Sequence, residues 1–515
     1  MSRITKQSLQ TIAKGTAIIF FSTIIGMLFA FSGRVLMARF FSQSEYGIYS
    51  LALTILNIAV AISMVGIGQG STRQIAYYRG KDDMAKVQVI ISSSPQIALI
   101  SSVLLSLVLF FTSGVISAQI FHEPGLALPL KILSIAIPFF VLISILDSIF
   151  RGFNKVEPRA YFRDILRNGL FPLLLLPVIL FSLSFLAGIY AFLASVILTG
   201  LAFTVYTLKK APLTPKRCSP VNPMAKELLL FSLPLLGVAM LNLVITGTDT
   251  LMLGYFKASE VVGLYNSAVP LARLIPLTFT SMVVIYVPII SQLHSQNLTG
   301  EMKRTYQVST KWIFSGSFPL FLLLFLFPET ILRFFFGAGY TEAAVALRIL
   351  SLGLVFNTFL GANGMTLLAM GKPRLLMWAS LLAAGLNMIM NIILIPPLGI
   401  TGAAIASLIA YLARNIFCSV KLYQLSRIQP FTRNYLKPFI ACGGIIAIIY
   451  LLTRSWFIVG YWMLPVIFIL FLVAYGLCLL LTKSFDKEDI MLLLTIEKRV
   501  GINMELAKKI LRKFL

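Results

Sequence analysis

The sequence predicts an all-α, polytopic membrane protein with about fourteen transmembrane helices. Of its 515 residues 58% are hydrophobic and only 12% are charged, whereas soluble domains carry about a quarter charged residues. The mean hydropathy is +0.92, and long apolar segments follow one another along the whole chain. The basic residues are concentrated in alternate loops, as expected for a chain that crosses the bilayer repeatedly.

The predicted helices are segments of about 20 or more mostly apolar residues, the length that crosses roughly 30 Å of hydrocarbon. The first begins near Gly15 and is too long to be the apolar region of a cleavable signal peptide, so it is counted as helix 1. The predicted spans are 15–41, 46–67, 88–112, 126–150, 161–182, 184–208, 227–255, 261–291, 310–328, 340–369, 375–396, 399–423, 437–453 and 458–482.

The distribution of basic residues predicts the orientation of these spans. With a cytoplasmic N-terminus, 34 of the 43 Lys and Arg residues fall on the cytoplasmic side. This asymmetry is the positive-inside pattern, and it predicts a multi-pass protein of the cytoplasmic membrane with both termini in the cytoplasm. The formal charge of +25 is then explained by basic loops that face anionic lipids, without a nucleic-acid partner.

An internal repeat predicts how the first twelve helices are arranged. Residues 36–52 align with residues 251–268, an alignment that matches Ser44 with Ser259 and, after one inserted residue, Gly47 with Gly263. A second, weaker echo at a similar offset links helices 4–6 with helices 10–12. Six helices return the chain to its starting side, so the two halves are predicted to be parallel lobes around a central cavity.

The repeat divides the chain into five predicted parts. Residues 1–208 form an N-terminal lobe, and residues 209–226 form a Pro-rich, basic cytoplasmic linker. Residues 227–423 form a C-terminal lobe, and residues 424–482 add helices 13 and 14. The tail 483–515 is basic and amphipathic, and it is interpreted either as an interfacial helix or as a solvated helical tail.

Three motifs resemble a known transporter family. They are ARFFSQSEYGIYSLA after the first helix, GxGQGSTRQIAYYRGKDD from Gly66, and the MGKPRLL…NIILIPPLGITGAAIAS run of helices 10–12. The chain resembles the polysaccharide-biosynthesis flippases of the multidrug/oligosaccharidyl-lipid/polysaccharide exporter superfamily. The resemblance implies a flippase that translocates polyprenyl-phosphate- or polyprenyl-diphosphate-linked oligosaccharides by alternating access, with the lipid bilayer and glycan-assembly enzymes as partners.

Arg273 is the strongest candidate for a substrate-binding residue. It lies about 15 to 20 Å from the outer surface in helix 8, and a charged residue at that depth indicates a partner, a wet cavity or an anionic ligand. Pro270 and Pro276 flank it and interrupt the helical hydrogen bonds, which is tolerated where the backbone lines protein or a cavity. A structural ion pair is the alternative role.

Arg34 and Asp249 occupy nearly equivalent positions in the two repeats. Arg34 lies about 10 Å below the outer end of helix 1, and Asp249 lies at the same depth in helix 7. Opposite charges at equivalent positions suggest an ion pair that forms part of an outer gate, and Asp249 also suits ion coupling. The alternative is that each side chain snorkels or pairs within its own lobe.

Two further cations complete the predicted binding set. Arg348 in helix 10 and Arg414 in helix 12 are both intramembrane, and together with Arg273 and Arg34 they outnumber the carboxylates at that depth. Guanidinium groups bind phosphate oxygens bidentately, so the excess of arginine favours an anionic substrate. Asp147, near the cytoplasmic end of helix 4, is most simply a local partner of Arg151.

The other function classes find less support in the residues. His122 and His294 lie in loops on opposite sides, and the four cysteines are isolated, so neither a catalytic set, a metal site nor a cofactor site is predicted. A multidrug or cation antiporter of the same superfamily would need more cavity carboxylates than Asp249. A membrane-embedded glycosyltransferase or polymerase would need a catalytic set near large polar loops.

Overall fold

The computed structural model describes residues 3–210, 223–431, 443–444 and 464–481, and all the regular elements in these residues are helices, as the sequence predicts. Contacts between residues divide the chain into two units, Met1–Gly263 and Leu264–Leu515. The central part of the predicted linker, most of the thirteenth span and the amphipathic tail 483–515 lie outside the described residues.

The first unit is built from nine complete helices and the start of a tenth. Short π-helical segments, Ile116–Ile120 and Arg159–Leu166, continue α4 and precede α7. The helices are α1 (Arg3–Phe40), α2 (Gln43–Met64), α3 (Ile67–Gly80), α4 (Met84–Val115), α5 (Ala127–Ser134), α6 (Ala136–Gly152), α7 (Arg167–Leu180), α8 (Phe185–Lys210), α9 (Pro223–Phe256) and α10 (Ser259–Ala272).

Among its described residues, the second unit contains the rest of α10 and eight further helices with defined bounds. Two predicted spans are interrupted. The predicted span 261–291 is divided between α10 and α11, and the predicted span 340–369 is divided between α14 and α15. The helices are α11 (Leu277–Ser295), α12 (Thr299–Leu326), α13 (Pro328–Phe335), α14 (Ala344–Phe359), α15 (Asn363–Ala369), α16 (Pro373–Leu398), α17 (Ile400–Ser426) and α18 (Leu464–Leu481).

Within the described ranges, eight helices are long and apolar enough to cross a membrane, and there are ten such spans if each of two bent helix pairs counts as one. One bent pair is Pro124–Ser134 with Ala136–Gly152, and the other lies within α11. The protein is therefore a multi-pass membrane protein, while the predicted number of fourteen spans is not confirmed.

The segment after α2 differs from the prediction. Residues 68–87 were expected to form a loop, but most of them form α3, which extends a helical region from Gln43 to Gly80. Val65 and Gly66 separate α2 from α3 by adopting positive φ angles of 45° and 73°. The sequence analysis did not predict α3, because only long apolar segments were counted as helices and α3 has too few apolar residues.

The interior of each unit is packed with apolar and aromatic side chains. In the first unit Phe162 stacks on Phe203 with ring centroids 4.6 Å apart, and Phe203 also stacks on Phe150. In the second unit Tyr286 and Thr366 share a buried hydrogen bond of 2.6 Å inside an apolar cluster. This packing holds the helices that carry the charged side chains in fixed positions.

The contact between α1 and the π-helical segment before α7 depends on Gly26. A Cβ atom at this position would lie 2.5 Å from the carbonyl oxygen of Asp164 and 3.1 Å from the Asn168 side chain. We expect Gly26→Ala to destabilise the fold by about 1 to 3 kcal/mol, the usual cost of overpacking. Thermal unfolding of the purified protein in detergent would measure the loss.

Gly385→Ala is the matched control, because Gly385 lies inside α16 with no heavy atom within 4 Å of a Cβ placed there. We expect this variant to unfold at an equal or higher temperature, since alanine favours a helix over glycine by about 0.5 to 1 kcal/mol. Equal midpoints for Gly26→Ala and the wild type would contradict the packing described for α1.

Candidate functional site

Arg273 lies next to an interruption of the helix, and the neighbouring Pro270 and Pro276 predict this interruption. Helix α10 ends at Ala272 and α11 begins at Leu277, because Pro276 has no N–H to continue the helical hydrogen bonds. The Arg273 N–H still bonds to the Val269 carbonyl at 3.0 Å, so the interruption follows Arg273 directly. The chain turns at the depth where the sequence places the midplane.

The side chain of Arg273 is exposed, although the residues around it are buried. Leu271, Ala272 and Ile275 are each at most 1% exposed. The arginine is therefore directed away from the packed interior of its unit, at a point where the backbone is already irregular. An exposed guanidinium in an apolar segment can meet an anion without a change in the surrounding packing.

Arg34 is half-buried on α1, beside two tyrosines of α2. Its guanidinium lies close enough to Tyr46 and Tyr49 to act electrostatically on both hydroxyl groups. The Tyr49 ring is fixed by a stacked contact with Phe171, with ring centroids 6.0 Å apart. Aromatic packing thus holds the polar surroundings of Arg34 in place within the first unit.

Asp249 is buried, with 6% of its surface exposed, near the C-terminal end of α9. This burial agrees with a carboxylate inside the hydrocarbon region. The ion pairs of the described residues do not include Arg34, so its pairing with Asp249 in an outer gate stays a prediction. A gate pair that forms in only one conformation would be seen only in that conformation.

Arg348 has partners within its own unit. Its Nη2 atom lies 3.0 Å from Glu329 Oε1 on α13, and its Nε–H donates to the Phe325 carbonyl at 3.1 Å. These bonds join α14 to the end of α12 and to α13. A role for Arg348 in substrate binding stays a prediction, and the side chain would have to release Glu329 to take it.

Arg414 lies half-buried on α17 beside a group of buried amides that the sequence analysis did not single out. The Asn363 side chain donates to the Asn415 carbonyl at 3.1 Å and to Ser419 Oγ at 2.9 Å. Asn415 in turn donates to Asn357 Oδ1 at 3.1 Å. Three asparagines in apolar segments were the available signal for this group.

These three asparagine side chains lie at the interruption between α14 and α15. Residues 360–362 leave the helix, and Gly361 has a φ of +71° with Thr310 packed against it. A helix interrupted at membrane depth leaves backbone groups that need partners, and the Tyr306 hydroxyl supplies one by donating to the Leu360 carbonyl. Arg414 therefore lies beside a rigid, polar region of the second unit.

The two copies of the internal repeat meet in the first unit. Ser44 Oγ, near the start of α2, is 2.7 Å from Ser259 Oγ, at the start of α10, and the repeat alignment had matched these two residues. A Cβ on Gly47 would collide with the Ser259 carbonyl oxygen, and one on Gly263 would collide with the Gln43 carbonyl oxygen. The two helix starts therefore touch through their backbones at equivalent positions.

This contact predicts a specific disulfide. In a chain whose four native cysteines are replaced by serine, we expect Ser44→Cys/Ser259→Cys to crosslink under mild oxidation, because the two Oγ atoms already lie close to the separation of a disulfide. A mobility shift reversed by reductant would measure the bond. Failure to crosslink, when Thr72→Cys/Ser148→Cys at the α3–α6 contact does crosslink, would contradict the contact.

Comparison with known proteins identifies relatives over most of the chain. The family described as "Polysaccharide biosynthesis protein" matches residues 12–294, and the family "MatE" matches residues 234–393. An uncharacterized membrane protein of Methanocaldococcus jannaschii is 26% identical over 414 residues, which cover 75% of this chain and 79% of the relative.

A second relative and one solved structure carry functional names. The probable low-salt glycan biosynthesis flippase Agl15 of Haloferax volcanii is 24% identical over 430 residues, which cover 81% of this chain and 86% of that protein. The structure of the lipid II flippase MurJ in an inward closed conformation superposes with a TM-score of 0.72 at 17% identity, and covers 90% of this chain and 98% of that one. The similarity to this solved structure establishes the fold.

Proposed function

Because the chain belongs to the polysaccharide biosynthesis protein family, we propose that it is a flippase that translocates lipid-linked oligosaccharides across the cytoplasmic membrane by alternating access. Its passenger is an oligosaccharide on a polyprenyl phosphate or diphosphate, and its product serves polysaccharide or glycoprotein biosynthesis. The protein is a transporter rather than an enzyme, in keeping with its flippase-named relatives.

The observation that carries this proposal is the exposed guanidinium of Arg273 at the interruption between α10 and α11. An arginine in hydrocarbon is costly without a partner or a wet cavity, and two oxygens of a tetrahedral phosphate can accept a bidentate pair of hydrogen bonds from the planar guanidinium. The sugar can then cross with the headgroup while the polyprenyl chain stays in lipid. Arg34 and Arg414 are further cations of the proposed substrate-binding set.

The membrane potential is the proposed driving force for the transfer. Moving two negative charges outward through 100 mV releases about 4 to 5 kcal/mol, at roughly 2.3 kcal/mol per charge. With both termini in the cytoplasm, as the basic loops predict, the passenger is loaded from the leaflet where glycan-assembly enzymes build it. Asp249 is the carboxylate available for coupling to an ion, if one takes part.

The Ser44–Ser259 contact is proposed to close the outer end of the pathway. Both residues follow a helix that ends on the outer side by the predicted topology, and their close backbone contact leaves no room for a passenger between them. Alternating access then requires the two helix starts to separate when the passenger leaves. Arg34 and Asp249 lie one to two helical turns further into the membrane.

A multidrug or cation antiporter of the same superfamily is the second candidate, favoured by the match of the MatE family to residues 234–393. Such antiporters exchange a substrate for protons or sodium through cavity carboxylates. Asp249, which is buried and is predicted to lie inside the hydrocarbon region, is the carboxylate proposed for this role. Replacing Asp249 with Asn would abolish antiport, whereas the transfer of a phosphate-linked passenger driven by the potential would persist.

We expect Arg273→Ala to reduce leaflet transfer of a fluorescent polyprenyl-diphosphate oligosaccharide by at least tenfold in reconstituted vesicles. Hydrogen bonds to charged groups contribute about 1.5 to 3 kcal/mol each, and more than one would be lost. Arg273→Lys should retain part of the activity, because the charge remains and the planar fork is lost. Quenching of the outer-leaflet fluorophore measures the transfer.

Arg333→Ala is the matched control, since Arg333 is an exposed arginine at the end of α13, outside the proposed pathway. Its transfer rate should equal that of the wild type. Wild-type transfer by Arg273→Ala would refute the proposed role of the guanidinium.

The disulfide between Ser44→Cys and Ser259→Cys tests the proposed outer closure. We expect oxidation to stop transfer and reduction to restore it, because a covalent bond keeps the two helix starts together. The Thr72→Cys/Ser148→Cys crosslink joins α3 to α6 and should leave transfer unchanged. Full transfer by the oxidised Ser44→Cys/Ser259→Cys protein would show that this contact does not open.

A further inference from the structure

The first unit contains a second group of cations, separate from the residues proposed above. Four arginines, referred to here as the arginine cluster, come from the end of α6 and from the segment that begins α7. They are Arg151, Arg159, Arg163 and Arg167. The last three are spaced four residues apart, which places their side chains along one face of the helix.

Two carboxylates lie within the arginine cluster, and neither can neutralise it. Asp147 is completely buried, and its Oδ2 atom is 2.7 Å from Arg163 Nη1 and 3.3 Å from Arg151 Nε. Asp164 accepts from Ser22 at 3.0 Å, and its Oδ2 is 3.7 Å from Arg159 Nε. Two carboxylates against four guanidiniums leave an excess of two positive charges.

Arg167 shows the excess most clearly. It donates from Nε and Nη2 to the neutral side-chain oxygen of Asn168, at 3.3 and 3.1 Å, and its guanidinium lies over the Phe140 ring. Asn168 is oriented by its own bond to the Asp164 carbonyl. No carboxylate in the described chain forms an ion pair with Arg167, so its charge is available to an anion.

Several polar atoms of the arginine cluster lack a well-aligned hydrogen bond. Asp147 Oδ1, Arg151 Nε and Arg159 Nε are buried and have no hydrogen-bond partner among the described groups. A buried polar atom without a partner costs about 1 to 3 kcal/mol, so such atoms are rare unless a ligand or water completes them. Two of these three atoms, Arg151 Nε and Arg159 Nε, are hydrogen-bond donors of the kind that binds an anion.

Membrane anchoring alone does not account for this arrangement. Arginines that only hold a loop at the cytoplasmic surface extend into water, whereas Arg151 and Arg159 are 28% and 26% exposed and lie beside Asp147 and Asp164, respectively. The backbone is also irregular, because Arg159–Leu166 is a π-helix, a form that occurs frequently at functional sites. Burial of cations is costly unless a partner compensates them, and the two carboxylates here compensate only two of the four charges.

The surface beside the arginine cluster suits a lipid chain. On α7, directly after the cluster, Leu173, Leu176 and Leu180 are exposed, and Leu180 is 78% exposed. On α1, which packs against the same segment, Ile25 and Leu28 are exposed as well. A lipid whose anionic head bound the arginines would find an apolar surface for its tail within the membrane.

We propose that the arginine cluster is a loading site that binds the phosphate or diphosphate head of a polyprenyl lipid in the leaflet from which the passenger starts. This inference rests on the proposed flippase function and adds a first binding site to it. The head accepts hydrogen bonds from Arg159 and Arg167, while Arg163 and Arg151 stay with Asp147. The polyprenyl tail lies along the exposed leucines of α7.

The test uses photoaffinity labelling of the purified full chain in detergent with benzophenone-tagged farnesyl diphosphate, followed by mapping of the labelled peptides. We expect label within residues 136–180 of the wild type, and at least a tenfold loss in Arg159→Gln/Arg167→Gln. This double variant keeps the buried Asp147–Arg163 pair, so the fold is preserved. A matching thermal-unfolding midpoint would confirm that it is folded.

Two controls show whether the loss of label is specific to the arginine cluster. One removes an unrelated cation, and the other removes Arg273. Arg79 lies at the end of α3, with its guanidinium over the Phe153 ring. Labelling of the Arg79→Gln variant should equal that of the wild type. Arg273→Ala should also keep the label on 136–180. Arg159→Lys/Arg167→Lys, which retains the charges, should lose less label than the glutamine variant.

Competitors distinguish the possible sources of the anion. Inorganic diphosphate should reduce the labelling, because the arginines bind the head, and absence of competition would overturn the inference. Phosphatidylglycerol should compete poorly, and competition equal to that of untagged farnesyl diphosphate would make the cluster an anchor for anionic phospholipid. Unchanged labelling of Arg159→Gln/Arg167→Gln would also overturn it.

The inference and the proposed function can fail separately. Labelling does not require transport, so a chain that labels at 136–180 but does not transfer the oligosaccharide would retain the site and lose the flippase function. A chain that transfers the oligosaccharide but labels equally in wild type and Arg159→Gln/Arg167→Gln would retain the function and lose the site.

Discussion

The central constraint on this structure is the cost of holding arginine inside a membrane protein. Each guanidinium in an apolar helix has to be compensated by a carboxylate, a polar wall or a ligand. Arg163 is compensated by the buried Asp147, and Arg348 by Glu329 and a backbone carbonyl. Arg34 lies against Tyr46 and Tyr49, and Arg273 is directed out of its unit. Arg34 and Arg273 are the arginines that we propose for the anionic passenger.

Interrupted helices place the arginines of the second unit. The interruption before α11 leaves Arg273 exposed directly after the last helical hydrogen bond of α10, the bond from its own N–H to the Val269 carbonyl. The interruption before α15 is filled by Asn363, Asn415 and Tyr306, and Arg414 lies beside it. Irregular backbone at membrane depth is stable only where protein or a wet cavity supplies partners, so both sites combine rigidity with polarity.

The sequence predicted the helical membrane fold and the family, because apolar length, basic loops and short motifs are local properties. The interruption at Arg273 was also predictable, since Pro276 lacks an N–H. The bond between Asp147 and Arg163 was not, because it joins α6 to a π-helical segment that no local pattern indicates. The contact of Ser44 with Ser259 shows that an internal repeat can match residues that meet in space.

The central claim is that the Arg273 guanidinium binds the phosphate of the passenger. Solid-state NMR measures this directly, by dephasing of ¹⁵N-labelled arginine Nη signals by the ³¹P of a bound polyprenyl diphosphate. In a bidentate pair the hydrogen-bonded nitrogen and oxygen atoms are about 2.8 Å apart, which places nitrogen and phosphorus within about 4 Å. We therefore expect strong dephasing that disappears in Arg273→Ala. Dephasing that is absent, or that is unchanged in Arg273→Ala, would contradict the account.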